Sequence, residues 1–369
     1  MRPSVHILTP TLSPFDAVSN DVLGMARWLR RQGWQAEAYA EHLDERLFPY
    51  VRPLAEYRRH LRDRQDVLIY HHSVGWEAGL RCYERSRNRK IIKYHSITPA
   101  RYFTPYHPPY ARSCQEGEYQ TRRLLQGDPD VILADSQANV AELQRTGIDL
   151  TCCHIVPPFH RLPDLHGRTV NRDIFELATC RWTFLFVGRV APNKGHIHLI
   201  RALARFHALY SADSQLIFVG YHDPKLREYQ HELRREIRRH NLEQFVRFFD
   251  NVSSWDLYTL YVCSDIFWCA SEHEGFCVPL VEALALGLPV VAYGNDAVRG
   301  TLGPSGKICD SPRPDVLAAA AAEVLADGAG RRQLIDDQRA HYREHYQLSV
   351  IEQQLRQALE PVLETCVHA

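Results

Sequence analysis

Short runs of apolar and β-branched residues alternate along the chain with longer segments in which apolar positions recur every three or four residues. This alternation is typical of βα units that build a parallel sheet. In the first part of the chain it predicts strands at residues 5–10, 35–40, 66–71, 90–95, 130–134 and 153–156. Residues 20–32 carry an apolar stripe at helical spacing and stop before Gly33, as a glycine-capped helix would.

After residue 156 the periodicity is lost, and Pro157 and Pro158 open a stretch that resembles an interdomain linker as far as Cys180. A second series of strands is predicted at residues 182–187, 215–219, 245–249, 265–269 and 289–292. We therefore expect an α/β protein with two Rossmann-like parallel-sheet domains, at residues 1–165 and 166–345. Residues 346–369 are helix-like with no strand after them, and we expect that helix to pack back toward the first domain.

Composition narrows the class of protein. The 369 residues carry 44 Lys+Arg against 44 Asp+Glu and are 45% hydrophobic, which is the composition of a globular protein rather than a disordered one. A net charge of zero argues against a dedicated nucleic-acid binder, which would show a basic excess. No apolar stretch approaches the ~20 residues of a membrane helix, and the N-terminal apolar run is too short for a signal peptide. We therefore expect a cytoplasmic protein.

Ligands of open parallel sheets bind beyond the carboxyl ends of the strands. The predicted strand at residues 182–187 runs into Gly188, and Arg189 and Lys194 follow before Gly195 and a helix. A glycine at the strand exit lets the backbone approach a ligand, and two cations beside a helix N-terminus suit a diphosphate. The alternative is a solvated turn that carries two surface cations.

A second loop follows the strand predicted at residues 265–269. Glu274 lies in this loop, and Glu282 lies inside the helix that the loop opens. A loop carboxylate beside an anion site is costly unless it binds sugar hydroxyls, so it points to carbohydrate chemistry, and Glu282 is placed to take the two hydroxyls of a ribose. Taken singly, each glutamate could instead cap the helix or lie on its surface. The backbone between them would face a docked anion at Gly275, Phe276, Cys277 and Val278.

Together these motifs resemble glycosyltransferase family four, the retaining enzymes of the GT-B class. The resemblance rests on the Gly188-Arg189 and Lys194-Gly195 pairs, the Glu274-(seven residues)-Glu282 spacing and the segment Gly-Leu-Pro-Val-Val-Ala at residues 287–292. In the first half, three segments are similar to the subgroup of mannosyltransferases that builds bacterial polysaccharides and O-chains. These are residues 16–20, 94–99 and 134–137.

The resemblance implies two domains that face each other across a cleft, with roles for particular residues. Arg189 and Lys194 would hold the donor diphosphate and neutralise the leaving group, and Glu282 would bind the ribose. Glu274 would lie beside the donor sugar, and the backbone N–H groups after it would contact sugar hydroxyls or phosphate. His95 would be the active-site histidine near that sugar; without the family, a lone histidine after a strand is more often structural.

Two departures from the family pattern affect the donor site. The loop that contains Asp16 and Ala17 would approach the diphosphate from the first domain, but Phe15 stands where a glycine is usual and hinders close backbone approach. Cys277 stands where many relatives have glycine. No cofactor and no metal are expected, because Arg189 and Lys194 supply the positive charge that the leaving group needs.

Residues 98–111 are rich in proline and aromatic rings, which stack on sugars and also suit membrane interfaces. We assign to the acceptor Tyr102 and Tyr106 of this segment, together with Arg101 within it and Arg112 directly after it, which could meet a lipid diphosphate. The alternative is a rigid, packed loop.

The sequence thus predicts a retaining, metal-independent hexosyltransferase. GDP-mannose is the expected donor, a lipid-linked saccharide the acceptor, and the cytoplasmic face of the membrane a peripheral contact. The alternatives are a UDP-hexose transferase of the same fold, a nucleotide-sugar epimerase or hydrolase, and a non-catalytic protein that binds nucleotide sugars.

Overall fold

The computed structural model describes residues 3–14, 16–47, 50–162, 169–176, 179–250 and 252–368. The chain divides into two compact units. The first contains the residues up to Arg101, Pro108–His160 and the residues from Gln347 onward. The second contains Tyr102–His107 and Arg161–Tyr346.

The first unit is built on a seven-stranded parallel sheet with the strand order β3-β2-β1-β4-β5-β6-β7. The strands are β1 Ser4–Leu12, β2 Gln35–Leu43, β3 Val51–Pro53, β4 Val67–His72, β5 Arg89–Tyr94, β6 Val131–Ala134 and β7 Cys153–Ile155. The α-helices found in the described residues of this unit are Ala17–Arg31, Leu54–Tyr57, Glu77–Arg85, Pro108–Gln126, Gln137–Gln144 and Leu348–His368.

The helix Leu348–His368 completes the core of the first unit. Its buried residues Ile351, Leu355 and Leu359 belong to the same apolar cluster as the central strands β1, β4, β5 and β6 and the helix Ala17–Arg31. The apolar stripe of the latter helix faces this cluster through Val22 and Leu29. The helix therefore returns to the first unit, as the sequence predicts, and its apolar face is buried there.

The second unit is built on a six-stranded parallel sheet with the strand order β10-β9-β8-β11-β12-β13. The strands are β8 Trp182–Val187, β9 Ser214–Val219, β10 Val246–Phe249, β11 Ile266–Cys269, β12 Val290–Tyr293 and β13 Lys307–Cys309. Its helices, within the described residues, are Arg172–Phe175, His196–Leu209, Arg227–Arg239, Ser254–Cys263, Val278–Leu286, Asp296–Leu302, Pro314–Ala326 and Gly328–His345. The strand order reverses between β8 and β11, so the carboxyl ends of these strands form the switch point at which doubly wound sheets bind ligands.

The predicted α/β class with two parallel sheets is confirmed, and the predicted strands differ from the observed ones by a few residues at their ends. The pattern missed β3 and β13, which have three residues each and are too short to show a period. Part of the expected linker, residues 163–168 and 177–178, lies outside the described residues. None of the helices in the described part of the chain combines the length and the apolar content needed to span a membrane.

The boundary of the first unit differs from the predicted one. The chain passes into the second unit after His160 rather than after residue 165, and Tyr102–His107 also belongs to the second unit. The short segment is held there because the ring of Phe103 is fully buried and the hydroxyl of Tyr106 donates a hydrogen bond to Glu232, at 2.7 Å.

Candidate functional site

Two loops meet at the switch point of the second unit. The first follows β8 and contains Gly188 to Gly195, and the second follows β11 and precedes the helix Val278–Leu286. Asn193 joins them: its backbone carbonyl accepts a hydrogen bond from the N–H of Glu272, at 2.8 Å, and its side-chain amide donates to the carbonyl of His273, at 3.1 Å.

Gly195 makes this close approach possible. Its backbone has φ +70, and a Cβ at this position would lie 2.0 Å from the carbonyl oxygen of Ala270. Only glycine tolerates both the left-handed conformation and the contact. The two loops therefore lie against each other at Gly195, immediately after Lys194.

Lys194 and Glu274 form an ion pair at the centre of the site. The ammonium Nζ lies 2.6 Å from Oε2 of the carboxylate, and the two side chains are 21% and 6% exposed. Burial lowers the pKa of Lys194, but the charge of Glu274 outweighs it and holds that pKa above its ordinary value. Lys194 therefore stays charged and fixes Glu274 in place, while part of its surface remains open to a ligand.

Arg189 lies close enough to Lys194 for its charge to lower the pKa of that lysine. Its guanidinium lies over the ring of Phe103, 6.0 Å from the ring centroid. The structure thus brings together the two cations that the sequence predicts for a diphosphate, and it supports one of them with an aromatic ring from the segment Tyr102–His107.

Glu282 lies in the first turns of the helix Val278–Leu286 and is almost completely buried. The hydroxyl of Tyr261 donates a hydrogen bond to its Oε2, at 2.7 Å. Burial raises the pKa of Glu282, and the Tyr261 hydrogen bond and the charge of Arg161 oppose that shift. Tyr261 and Arg161 are thus the groups that favour an ionised, hydrogen-bond-accepting Glu282.

The loop between the two glutamates has a strained end. Cys277 has φ +73 and ψ 67, the left-handed region that glycine prefers, and it directly precedes the helix that starts at Val278. The carbonyl of Phe276 accepts a hydrogen bond from Thr301 Oγ1, at 2.6 Å. Gly275, Phe276, Cys277 and Val278 therefore run, as the sequence predicts, from Glu274 into a helix N-terminus.

In the first unit, His95 follows β5 and is part of a buried chain of polar groups. Its Nδ1 lies 2.8 Å from Asp135 Oδ2, and its Nε2 lies 2.8 Å from His71 Nδ1. Lys93 places its Nζ 2.7 Å from Asp135 Oδ1 and also donates to the carbonyl of Val156. Both ring nitrogens of His95 thus have partners within the first unit.

Asp21 is a further member of this group of buried polar side chains. Its Oδ1 accepts a hydrogen bond from the N–H of Phe159, at 2.8 Å, and its Oδ2 lies 3.8 Å from both His71 Nδ1 and His95 Nε2. Burial raises the pKa of Asp21 and lowers that of His71 well below its ordinary value.

Asp21, His71 and His95 have the spacing of a metal-binding group, and so do His6, His60 and Asp66. In the first group the imidazoles already bond to each other, and Lys93 is close enough to interact electrostatically with Asp21. The ammonium of Lys93 thus supplies positive charge of the kind that a metal ion would supply.

Asp16 has a structural explanation in the first unit. It is the N-cap of the helix Ala17–Arg31, and its carboxylate accepts hydrogen bonds from the N–H and the hydroxyl of Ser19, at 2.8 and 2.9 Å. Asp16 and Ala17 are exposed, and Phe15 lies outside the described residues. The capping role does not by itself require a ligand.

The four residues assigned to the acceptor do not fall in one unit. Arg101 and Arg112 belong to the first unit and are exposed, whereas Tyr102 and Tyr106 belong to the second. The ring of Tyr102 lies 6.4 Å from that of His273, the neighbour of Glu274 in the chain. Both tyrosines thus belong to the unit that carries the Lys194–Glu274 pair.

The sequence contains an Asp-x-Asp spacing, at Asp128 and Asp130, and carboxylates are ligands that divalent cations prefer. The structure gives Asp130 structural partners: its carboxylate accepts a hydrogen bond from the N–H of Lys90, at 2.7 Å, and pairs with Arg89, at 2.8 Å. These contacts hold the start of β6 beside β5.

Sequence reasoning also missed residues that the site depends on. Asn193 and Tyr261 are ordinary loop and helix residues in the sequence, and Tyr261 is 21 positions from the glutamate that it contacts. His71 lies in a run of strand residues. Asp135 belongs to one of the segments that carry the family resemblance, and its position after a strand was the only signal available.

The two parallel sheets and the solved structures that match nearly the whole chain show the class of this protein: it has the GT-B fold. The structure of Anabaena HepE solved with UDP and glucose matches 98% of this chain and 100% of its own, with a TM-score of 0.79 and 17% identity. WaaG, a glycosyltransferase involved in lipopolysaccharide biosynthesis, matches 96% of this chain and 98% of its own, with a TM-score of 0.73 and 15% identity.

Residues 167–341 match the family model of the glycosyl transferases group 1. This match lies in the second unit and agrees with the resemblance seen in its motifs.

Curated relatives match parts of the chain. The O-antigen chain mannosyltransferase B of Escherichia coli is 28% identical over 40% of this chain and 38% of its own. A phosphatidyl-myo-inositol mannosyltransferase of Mycolicibacterium smegmatis is 32% identical over 49% of this chain and 45% of its own. The GDP-mannose:cellobiosyl-diphosphopolyprenol alpha-mannosyltransferase of Xanthomonas campestris is 31% identical over 41% and 40%. The matches thus span less than half the length of these relatives.

Proposed function

We propose that this protein is a retaining hexosyltransferase that takes its sugar from a nucleotide sugar without a metal. The observation that carries the proposal is the arrangement at the switch point of the second unit. The Lys194–Glu274 ion pair lies where the two loops meet, and the buried Glu282 follows in the helix that the second loop opens. An ammonium and two carboxylates at this edge suit a ligand that carries a diphosphate, a sugar and a ribose.

Each group has a task in such a reaction. As the bond to the sugar breaks, negative charge grows on the departing diphosphate, and Arg189 and Lys194 stabilise it. Positive charge grows on the sugar ring, and Glu274 stabilises that charge and accepts from the sugar hydroxyls. Glu282 accepts from the ribose hydroxyls. Because Lys194 and Glu274 are already paired, neither requires large rearrangement when the charges develop.

We further propose that the donor is GDP-mannose and the acceptor a lipid-linked saccharide at the membrane surface. Two of the partly matching relatives support this choice. One is an O-antigen chain mannosyltransferase, and the other is a GDP-mannose:cellobiosyl-diphosphopolyprenol alpha-mannosyltransferase. Arg101 and Arg112 would meet the lipid diphosphate, and Tyr102 and Tyr106 would stack on sugar rings.

His95 and the loop at Asp16 and Ala17 complete the proposal from the first unit. His95 would act near the donor sugar, and the helix that Asp16 caps would direct its N-terminus toward the diphosphate. His95 is the stronger of these assignments, because the chain buries several ionisable groups around it, and perturbed groups of this kind cluster at functional sites.

The test is release of nucleoside diphosphate from a panel of GDP- and UDP-hexoses, with and without a polyprenyl-diphosphate saccharide. We expect turnover of GDP-mannose by the wild type and losses of 100-fold or more for Lys194→Ala and Glu282→Ala. The exposed Lys225→Ala and Glu243→Ala serve as matched controls in the same unit. Wild-type rates for Lys194→Ala and Glu282→Ala would refute the site assignment.

The panel also separates the alternatives. Preference for a UDP-hexose would keep the fold and the site but change the donor. Release of free sugar that no acceptor stimulates would indicate a hydrolase. Binding of the nucleotide without turnover of any donor would indicate a binding protein.

A further inference from the structure

The chain of buried groups around His95 is more elaborate than a structural histidine needs. Asp21, His71, Lys93 and Asp135 are all buried, and they come from three strand ends and the helix Ala17–Arg31. Burying a charge is costly unless it is paired and hydrogen-bonded, so a cluster of this size persists only where its members fix one another.

We propose that Asp135 is a positioning residue for His95, which it holds with Nδ1 protonated, and that Lys93 locks Asp135 in the orientation that does so. The inference rests on the proposed function only for its effect on turnover.

The hydrogen-bond directions follow from the chemistry of the groups. Lys93 has only protons to offer, and its ammonium pairs with Asp135 Oδ1 at 2.7 Å, so that oxygen faces the lysine charge. Burial raises the pKa of Asp135, but its interactions with His95 and Lys93 outweigh that effect and leave the pKa below its ordinary value. An ionised Asp135 is acceptor-only, so the other oxygen must accept from His95 Nδ1.

The proton on Nδ1 determines what the other ring nitrogen of His95, Nε2, can do. With Nδ1 protonated, a neutral His95 presents the lone pair of Nε2, and the Nδ1–H of His71 donates to it across 2.8 Å. His71 can do so because burial keeps it neutral. Asp21 Oδ2 lies 3.8 Å from the same nitrogen.

Because Lys93 sets the orientation of Asp135, the substitution Asp135→Asn tests the proposal directly. In Asp135→Asn the Lys93 ammonium can bond only to the amide oxygen, which turns the amide NH2 toward His95 Nδ1. Because that nitrogen must then accept, the ring proton of His95 moves to Nε2, and the proton of His71 moves from Nδ1 to its own Nε2, so that His71 Nδ1 accepts from His95. In Lys93→Met combined with Asp135→Asn, the amide is free to turn its oxygen toward Nδ1, and the original tautomer returns.

The first readout is the tautomer of His95, from long-range proton–nitrogen NMR spectra of histidine-labelled protein, with the His95 signals assigned by their loss in His95→Gln. We expect Nδ1–H in the wild type and in the double variant, and Nε2–H in Asp135→Asn. The matched control Asp130→Asn, which removes a carboxylate with partners elsewhere in the first unit, should leave the tautomer unchanged.

The second readout is turnover of the donor. We expect kcat to fall about 100-fold or more in Asp135→Asn, as in other sites where the wrong histidine tautomer is imposed, with the dissociation constant of the nucleoside diphosphate within about twofold of the wild type. The double variant should recover part of kcat.

Two results would overturn the proposal. One is Nε2–H in the wild type, which needs no variant and therefore decides even if Asp135→Asn fails to fold. The other is a switched tautomer with unchanged kcat, which would reduce Asp135 to a structural role. Failure of the proposed function gives a different result, since the wild type would then turn over no donor while the NMR readout still decides the tautomer.

Discussion

Replacement of Gly195 by alanine is the most direct test of how the two loops of the second unit are held together. The position combines φ +70 with a carbonyl, that of Ala270, 2.0 Å from where the new Cβ would lie. Carbon atoms do not approach a carbonyl oxygen this closely, so the backbone of one loop must move by about 1 Å.

The magnitude follows from two contributions. The left-handed conformation costs an alanine roughly 1–2 kcal/mol relative to glycine. The forced separation of the loops adds strain and disturbs the hydrogen bond from Glu272 to Asn193. We expect Gly195→Ala to lower the free energy of unfolding of the second unit by about 3 kcal/mol or more, a value that points to a specific structural cause.

Two matched controls isolate the conformational contribution. Gly147 has φ +74 with open space around the new Cβ, so Gly147→Ala should cost only about 1 kcal/mol. Gly287, in the same unit as Gly195, has φ +73, and its Cβ would meet only the end of the flexible Arg339 side chain. Gly287→Ala should therefore lie between the other two.

The assay is urea unfolding followed by circular dichroism, with the transitions of the two units fitted separately. It is paired with calorimetric titration of a nucleoside diphosphate. Because Lys194 precedes Gly195 directly, we expect its ion pair with Glu274 to be misaligned and the affinity to fall about tenfold. If Gly195→Ala unfolds at the same urea concentration as Gly287→Ala and binds the nucleotide like the wild type, the inferred role of the close approach is wrong.

Three further predictions concern single buried groups. Tyr261→Phe removes the hydrogen bond to Glu282, so we expect calorimetry to show affinity for a nucleoside diphosphate about fivefold weaker, but no loss for its 2′,3′-dideoxy analogue. Burial lowers the pKa of His196 to about 3. Below about pH 6.5 the unfolded chain protonates this histidine, whereas the folded protein does not. The free energy of unfolding therefore decreases by about 1.4 kcal/mol for each unit by which the pH is lowered from 6.5 to 3. His196→Phe should flatten that dependence in urea unfolding at several pH values. Since Cys277 has φ +73, Cys277→Gly should be more stable to urea than Cys277→Ala, the reverse of the usual order.

Each of these has an internal comparison. Tyr258→Phe, on the same helix as Tyr261, should bind both nucleotides equally well, and a loss for the dideoxy analogue in Tyr261→Phe would mean general damage rather than a lost ribose contact. A pH dependence that survives in His196→Phe would assign it to other groups. At Cys309, a strand residue, alanine should be the more stable substitution, and the same order at Cys277 would contradict the strain argument.

Much of the fold could be predicted because it depends on local patterns. Strand β8 was predicted at the residues where it occurs, since an apolar run bounded by polar residues leaves no other register. The helix Leu348–His368 could be recognised from its apolar positions at helical spacing, and its apolar face packs in the core of the first unit. The placement of Tyr102–His107 could not be predicted, since it depends on Phe103 and Tyr106 contacting residues far away in the chain.

The candidate site was predictable where residue type and spacing carry the signal. Lys194 and Glu274 lie in the loops after β8 and β11, Glu282 lies in the helix that follows, and the structure places the first two in contact. Asp135 and Tyr261 act through other side chains, and one sequence holds no signal that pairs a residue with a partner tens of positions away. The hydrogen bonds that fix them depend on tertiary packing alone.

The helix Leu348–His368 makes the first unit discontinuous in sequence. On a ribosome, the strands of the first sheet emerge early, but the segment that buries their apolar face through Ile351 and Leu355 is translated only after Arg161–Tyr346. The second unit can therefore complete its core first, while the sheet of the first unit, although synthesised earlier, still exposes the apolar face that this helix covers. Chaperone capture and aggregation during synthesis should thus concentrate on the part of the protein that is made first.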